Sequence, residues 1–551
     1  MPDNLSVLFE AVVDARPDAL ALVRGAQRLT YSQLDARANK VAQWLVDSGT
    51  RPGTHIGLHL DNQVDFFAAM LGCLKAGALP LALSTRLLAA ELADAIDFLD
   101  IEGLFTETSR LTTVADASMA TAGLRFAVVS GDEMSTGPNQ ADTSPSSSTA
   151  AGSTPQITAQ IVATQNDIAT CSPQPPVGIE RGPDDTFMLV TAGRSRRPAG
   201  LVWKQSDFFY AALGAGDPTG TDGPLPSGTS ITDRLVPSDS LVVMPIARPY
   251  HPAGQWPVWM AWFAGGTAVF DDSAAFRPEA ILAAASESGV TMLLTTGDAM
   301  CRPLAETLAE NPVPLPKLTR WVSSGAVWSN DVKALLNRLL PDVDLFDGSS
   351  DPGAPSGNVS TMGWSFDEST VFAHGDVALL DDQDLPIEPG STVIGRLAGS
   401  GHIPVGFYRD PKRNERTFVE VEGTRYVISG ARARLDTAGR IRLVADDFRT
   451  INTGGERVFG QEVESVLRQM PGVIDVVVVG VDDAYWGQRV TAVIQPDGRT
   501  RVSLDGVAKF CQGRLASHKI PKSIVLVDSI AHHPDGQPDD GWARIQAQSA
   551  I

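Results

Sequence analysis

Ten residues, Thr191-Ala192-Gly193-Arg194-Ser195-Arg196-Arg197-Pro198-Ala199-Gly200, place two hydroxyls, two glycines and three arginines directly after the apolar run Phe187-Met188-Leu189-Val190. A strand running into such a loop is a setting for binding phosphate. Glycine lets the backbone N–H groups approach an anion, hydroxyls donate to it, and guanidinium groups add charge. The plainer reading is a solvated basic loop. Other segments offer further chemistry. His251-Pro252-Ala253-Gly254-Gln255-Trp256 combines an imidazole, an amide and an indole. Asp347-Gly348-Ser349-Ser350-Asp351 combines two carboxylates with hydroxyls, and Gly454-Gly455-Glu456 sets a carboxylate beside a flexible turn. His532-His533 are neighbours in a loop-like stretch and form no ligand set, and a lone histidine such as His251 is more often packed than catalytic.

Alternating elements must position these groups. Residues 31–45 carry apolar residues at helical spacing. Residues 55–60 read as a buried strand, 66–76 as a helix, and 78–83 as the next strand. Alternation of this kind argues for a mainly parallel sheet with helices on both faces. Residues 131–178 change character, since Ser144-Pro145-Ser146-Ser147-Ser148-Thr149 and its neighbours cannot pack a core, and they read as a flexible surface insertion. A second α/β stretch runs from 241 to about 345. Beyond 393 the signals become short and strand-like, as in a small β-rich subdomain. From about 448, a helix at 460–470, a strand at 473–479, a helix at 504–515 and a strand at 524–527 describe a compact α+β unit.

The chain has 551 residues, more than one hydrophobic core can serve. Its 43% apolar and 20% charged residues read as soluble and globular. A net charge of −21 argues against nucleic acid or an anionic membrane as partner. Cys73, Cys171, Cys301 and Cys511 lack metal or disulfide spacing, which fits a reducing cytoplasm. No secretory signal and no apolar run long enough to span a membrane is evident.

Several ordered segments resemble the AMP-forming acyl-CoA synthetases of the adenylate-forming superfamily, the fatty-acid and sterol-side-chain type above all. Residues 191–200 have the spacing of its T-G-G-T-T-G-x-P-K-G loop, preceded by Pro183-Asp184-Asp185. Ser323-Ser324-Gly325-Ala326-Val327-Trp328-Ser329 resembles the strand-loop beside adenine, and residues 347–351 stand at its Y-G-S-T-E motif. Gly401-His402-Ile403-Pro404-Val405-Gly406-Phe407-Tyr408 also matches. The fullest match is Ile451-Asn452-Thr453-Gly454-Gly455-Glu456-Arg457-Val458-Phe459 with Glu462-Val463-Glu464. The resemblance implies an α/β fold: a large N-terminal domain, 1–446, of parallel sheets plus a small β-rich subdomain, and a small mobile α+β C-terminal domain, 447–551. It implies ATP, magnesium and CoA as reactants, an acyl-AMP intermediate, and domain rotation between two poses. Nothing in the residues themselves fixes a cofactor.

Position by position, the resemblance makes Thr191, Gly193, Arg194, Ser195, Arg196, Ala199, Gly325, Asp347, Gly348, Ser350, Asp351, Ala431 and Asp446 the nucleotide site. Many depart from the pattern. Ala199 replaces the loop lysine, Arg194 a hydroxyl and Arg196 a glycine. Asp347 stands for the tyrosine that packs by adenine. Asp351 keeps a carboxylate at the magnesium position and Ser350 a hydroxyl. Ala431 replaces the aspartate that holds the ribose, Asp446 an arginine, and Gln537 the adenylation lysine. Losing one transition-state contact of that kind costs about 3–4 kcal/mol. By contrast His251, Gln255 and Trp256 keep the look of an acyl-pocket wall, and Gly454, Gly455 and Glu456 that of the thioester-side loop.

The expectation is an acyl-CoA synthetase-like protein that has lost adenylation, a non-adenylating homologue or partner subunit that still binds an acyl, acyl-CoA or carrier-bound ligand. Two alternatives stand beside it: a repurposed enzyme running ATP-independent chemistry in the old acyl pocket, in which Arg194, Asp446, His532 and His533 serve as acid–base groups, and a slow but genuine acyl-CoA ligase. Homo- or hetero-oligomers fit each of these, and a cytoplasmic location is expected throughout.

Overall fold

The computed structural model describes residues 4–121, 123–131, 157, 159, 161–191, 198–213, 215, 217, 223–226, 229–237, 239–273, 275–323, 328, 330–347, 377–391, 393–435, 441–445, 450–531 and 539–550. The N-terminal part is built on two largely parallel sheets. One has seven strands in the order Asp344–Asp347, Arg320–Ser323, Met292–Thr295, Val242–Pro245, Thr267–Phe270, Leu20–Arg24 and Gln27–Thr30, all parallel except the last pair. The other has five parallel strands, Leu79–Ala82, His55–His59, Ile101–Glu107, Phe126–Ser130 and Ile161–Thr164. Their buried, near-continuous apolar runs suit parallel strands covered on both faces.

Helices pack between and around these sheets: α1 (Leu5–Ala15), α2 (Tyr31–Asp47), α3 (Gln63–Lys75) and α4 (Ala89–Phe98) come first. Thr30 starts α2 with a capping box, its hydroxyl accepting from Gln33 N while Gln33 Oε1 accepts from Thr30 N. The helix Pro252–Phe263 is buried all round from Gly254 onward, so it shows no polar face. Trp262 anchors it, donating from Nε1 to Ala21 O at 2.8 Å and meeting Phe9 and Phe67 edge-on. Gly254 is required there, because a Cβ would lie 2.2 Å from Arg248 O.

Two antiparallel sheets follow. Thr186–Thr191 and Ala199–Lys204 form a hairpin, joined by Gly406–Phe407. The β-rich subdomain pairs Val377–Leu380, Gly395–Gly399, Thr424–Leu435 and Phe418–Val421, with Ile441–Ala445 added to the long strand. It begins earlier than the expected position near 393. The C-terminal sheet orders Glu456–Phe459, Thr450–Thr453, Gly487–Pro496 and Val473–Asp483, with Ser523–Leu526 parallel to Gly487–Pro496. Separate apolar clusters cover its two faces, one around Val458, Val463 and Val490, the other around Val477, Val493 and Ala543.

One expectation is revised in detail. The stretch 131–178, expected as a flexible insertion, contains the strand Ile161–Thr164 and the helix Gln165–Ala169. The β-branched residues Ile161, Val162 and Thr164 extend the parallel sheet beside Phe126–Ser130, and the Asp167 carboxylate accepts from Thr164 N at 2.7 Å to start the helix. The segment 191–200 bridges the two arms of a β-hairpin, Thr191 opposite Ala199.

Gln165 Nε2 donates to Asp65 Oδ1 at 2.8 Å and ties that helix to α3. Burial pushes the Asp65 carboxyl up to about 6, against the influence of Arg37 and the Gln165 hydrogen bond. The folded chain therefore holds this proton more tightly than the unfolded chain. Stability falls as pH rises from about 4 to about 6 and stays lower above that. Asp65→Asn, which still accepts from Gln165, is expected to gain about 1–2 kcal/mol at pH 7 and nothing at pH 4. Denaturant melts at both pH values check this, and a loss of stability at pH 7 would refute it.

Candidate functional site between the domains

The segments singled out in the sequence leave the same side of the seven-stranded sheet. Val242–Pro245 leads to His251, the N-cap residue of the helix Pro252–Phe263. Met292–Thr295 leads to Thr296 and the helix Gly297–Glu310, whose first N–H donates to Ser323 Oγ at 2.8 Å. Arg320–Ser323 and Asp344–Asp347 end in register, Ser323 opposite Asp347. Carboxyl ends of parallel strands are where open α/β sheets bind ligands.

The small domain covers this edge with a hairpin. Thr453 pairs with Glu456, leaving the two-residue turn Gly454-Gly455, with φ of 58° and 79°. Positive φ at both central residues is the type I′ requirement, which explains the paired glycines. Gly454 N donates to Trp486 O at 2.8 Å. A Cβ at Gly455 would lie 3.1 Å from Met300 Cε, so the turn fits closely against the helix Gly297–Glu310.

This turn delivers Glu456 to the large domain. His251 Nε2 donates to Glu456 Oε2 at 3.0 Å, and Arg86 Nη1 lies 2.9 Å from Oε1. Tyr250 Oη is 3.5 Å from Oε1, and its ring packs tilted against His251. Burial opposes the charge on Glu456, yet His251, with His518 and Arg86, holds its carboxyl well below the usual range. An ionised carboxylate only accepts, so the His251 proton toward it sits on Nε2. Burial pushes His518 down to about 4, which leaves it neutral at pH 7.

Gln255 and Trp256 are buried behind His251. Gln255 Nε2 donates to Pro249 O at 3.1 Å, and Trp256 meets Phe208 edge-on. Gln255 also lines a small cavity with Met70, Phe187, Val190, Tyr250 and Pro252, with room for about one water molecule. The structure thus unites two groups that the sequence kept apart, His251, expected in an acyl-pocket wall, and Glu456, expected in a thioester-side loop.

The residues expected to form a nucleotide site are described in part. Gly193, Arg194, Ser195, Arg196, Gly325, Gly348, Ser350, Asp351, Asp446 and Gln537 lie outside the described residues, as do His532 and His533. Ala199 is buried at the start of its strand, and Gly200 is pressed between Met188 and Tyr408. The backbones of Thr191 and Asp347 end their strands, and Ala431 lies within Thr424–Leu435. His402 is paired with Asp207 at 2.8 Å and stacked on Tyr210. Among the described residues no group of three or more His, Cys, Asp or Glu is arranged to hold a metal, and no helix is long and apolar enough to cross a membrane. Sequence reasoning missed Arg86, Tyr250 and His518, whose only local signal is a cationic or aromatic residue just beyond a strand or turn.

Glu456→Gln keeps the side chain's shape and removes its charge. A loss of about 1–3 kcal/mol at pH 7 is expected. The carboxylate's contribution is full above its ordinary value of 4.5 and is lost as pH falls below it. The gap between variant and wild type should therefore narrow in acid. Melting curves from pH 7 down to pH 4 read this out; a gap independent of pH would contradict it.

Comparison with known proteins agrees with this architecture. The family model described as AMP-binding enzyme matches residues 9–397, and that described as AMP-binding enzyme C-terminal domain matches 462–536. The chain is similar to the medium/long-chain-fatty-acid–CoA/3-oxocholest-4-en-26-oate–CoA ligase of Mycolicibacterium smegmatis, 32% identical over 98% of this chain and 96% of that one. It is also similar to the 3-oxocholest-4-en-26-oate–CoA ligase of Rhodococcus rhodochrous, 30% identical over 98% and 96%. Among solved structures, the amide bond synthetase McbA from Marinactinospora thermotolerans shares the fold at a TM-score of 0.71 and 20% identity, over 99% of both chains. A Mycobacterium tuberculosis fatty acyl CoA synthetase does so at 0.61 and 19%, over 100% of this chain and 99% of that one. The chain belongs to the AMP-binding, adenylate-forming enzyme family, within which it is related to the fatty-acid and sterol-side-chain CoA ligases.

Proposed function

We propose that this chain is an acyl-CoA ligase acting on medium- or long-chain fatty acids or sterol side-chain acids, with a slow adenylation step. The observation that carries this reading is the Glu456–His251 contact. It sets the thioester-side hairpin of the small domain against the acyl-pocket segment, and the full-length similarity to such ligases supports it. In this reading the acyl group lies by the helix Pro252–Phe263, and Glu456 fixes the orientation of His251 at its mouth. ATP would supply the adenylyl group that activates the acid. The hairpin 191–200 would meet its phosphates and Asp351 the magnesium. The ligand is an acyl group, an acyl-CoA or a carrier-bound acyl chain. The domain boundary at 446/447, a cytoplasmic location and an oligomeric assembly belong to the same proposal.

A second reading, that adenylation is lost altogether, is favoured by a specific set of residues. Arg196, Ala199, Ala431, Asp446 and Gln537 stand where the family pattern has a glycine, a lysine, an aspartate, an arginine and a lysine. Each such change costs on the order of 10²–10³ in rate where the contact is made in the transition state, though the costs do not simply add.

Calorimetry with ATP·Mg and with medium- and long-chain acyl-CoAs, alongside pyrophosphate release over hours, separates the two. Acyl-CoA binding with slow pyrophosphate release is the expected result. Acyl-CoA binding without any pyrophosphate supports the second reading, and absence of acyl-CoA binding overturns both. Gln537→Lys alone should leave pyrophosphate release slow, because Ala431 and Asp446 still lack the ribose and phosphate contacts. A rise of about 10²-fold or more in that single variant would show that Gln537 alone limits the reaction.

A further inference from the structure

We propose that Lys519 is a positioning residue which, with Glu91, latches the small domain in the pose that holds Glu456 against His251. Lys519 belongs to the small domain and is buried. Its Nζ donates to Glu462 Oε1 at 2.8 Å within its own domain and to Glu91 Oε1 at 3.0 Å on α4 of the large domain. Both carboxylates are buried as well, with side-chain exposures of 3% and 2%. Burial disfavours the charge on Lys519, but Glu462 and Glu91 outweigh it and raise its pKa.

Glu91 is itself held in place. Its Oε2 accepts from Leu88 N at 2.9 Å and starts α4, so Oε1 is presented to the small domain in a fixed direction. Five residues earlier, Arg86 grips Glu456. The short segment 86–91 therefore makes two ion pairs with the small domain, and their polarities are opposite. The large domain gives a cation at 86 and an anion at 91, while the small domain gives an anion at 456 and a cation at 519. Shifting the small domain along this segment would bring like charges together, so the alternation fixes one register. The Lys519–Glu462 contact lies within the small domain and travels with it. The Lys519–Glu91 contact exists only in the docked pose. Release exchanges this desolvated pair for two hydrated ions, so the pair brakes release by the amount its attraction exceeds the cost of burial.

The inference deepens the reading above by naming what holds the pose, and its test needs neither ATP nor CoA, so the two can fail separately. Val177 and Ile545 are exposed and lie on the large and small domains. With Cys171→Ser removing the half-buried thiol, cysteines at 177 and 545 carry a donor and an acceptor dye on the full-length chain. Single-molecule energy transfer then reads the dwell time of the docked pose. Glu91→Gln keeps the bond to Leu88 N and should shorten that dwell about tenfold. Glu462→Gln should change it less than about twofold, because Lys519 keeps Glu91. Lys519→Glu gathers three carboxylates and should shorten it further, with partial recovery in Glu91→Lys/Lys519→Glu. A dwell time unchanged in Glu91→Gln, or shortened equally in Glu462→Gln, would show a merely structural ion cluster and overturn the proposal. Should either Lys519 variant fail to fold, Glu91→Gln and Glu462→Gln decide the matter.

Discussion

Glu456 is a carboxylate that the small domain carries into the large one, and the arrangement of the site follows from the need to neutralise it. A buried carboxylate is tolerated only with cations or donors around it. Nearly all of its partners come from the other domain: Arg86 after the strand Leu79–Ala82, Tyr250 and His251 before the helix Pro252–Phe263. The contact is therefore an interface constraint. Neither domain can satisfy Glu456 alone in this pose, and the two parallel sheets must lie so that Arg86, from one, and His251, from the other, converge on one point.

Rigid elements meet that requirement. His251 precedes a helix buried on every side and clamped by Trp262, so its position is set by the core. Glu456 leaves a type I′ turn whose geometry admits little besides glycine at both positions. Arg86 precedes α4, whose start is fixed by Glu91. His251 thus projects from the start of a helix and Glu456 from the first residue of a strand, where side-chain direction follows from the backbone, while Arg86 reaches Glu456 from the turn between its strand and α4. Placement of this quality is what a site needs when a misplacement of about 1 Å is costly in rate.

Much of this fold was legible in the sequence because it is written locally. The helical spacing of residues 31–45 gives Tyr31–Asp47, and the apolar run at 473–479 gives the start of Val473–Asp483. The doubled glycine at 454–455 signals its turn directly. The ion pairs were not legible. Lys519 and Glu91 are 428 residues apart, and nothing in Ser517-His518-Lys519 or Leu88-Ala89-Ala90-Glu91 marks them as partners. The strand Ile161–Thr164 was hidden by its surroundings, since four residues beside a long Ser- and Pro-rich stretch carry little weight. His251 and Glu456 were each visible but in separate roles, and only the chain's path joins them.

The residues expected at a nucleotide site and the fold are physically independent, and that independence shapes how the family relationship bears on function. Ala199 is buried within a hairpin whose register rests on Leu189, Leu201 and Trp203, none of which needs a lysine at 199. Ala431 lies in a strand held by backbone pairing. Residues that bind a ligand are commonly neutral or costly to stability, so a fold survives their replacement easily. Similarity across the whole chain accordingly speaks to the architecture. Whether ATP is used turns on a few side chains that the architecture does not depend on. The docking contacts differ, because a change at Arg86 weakens the compensation of Glu456, and a change at Lys519 that of Glu91. Their joint presence ties the two domains together in the pose described.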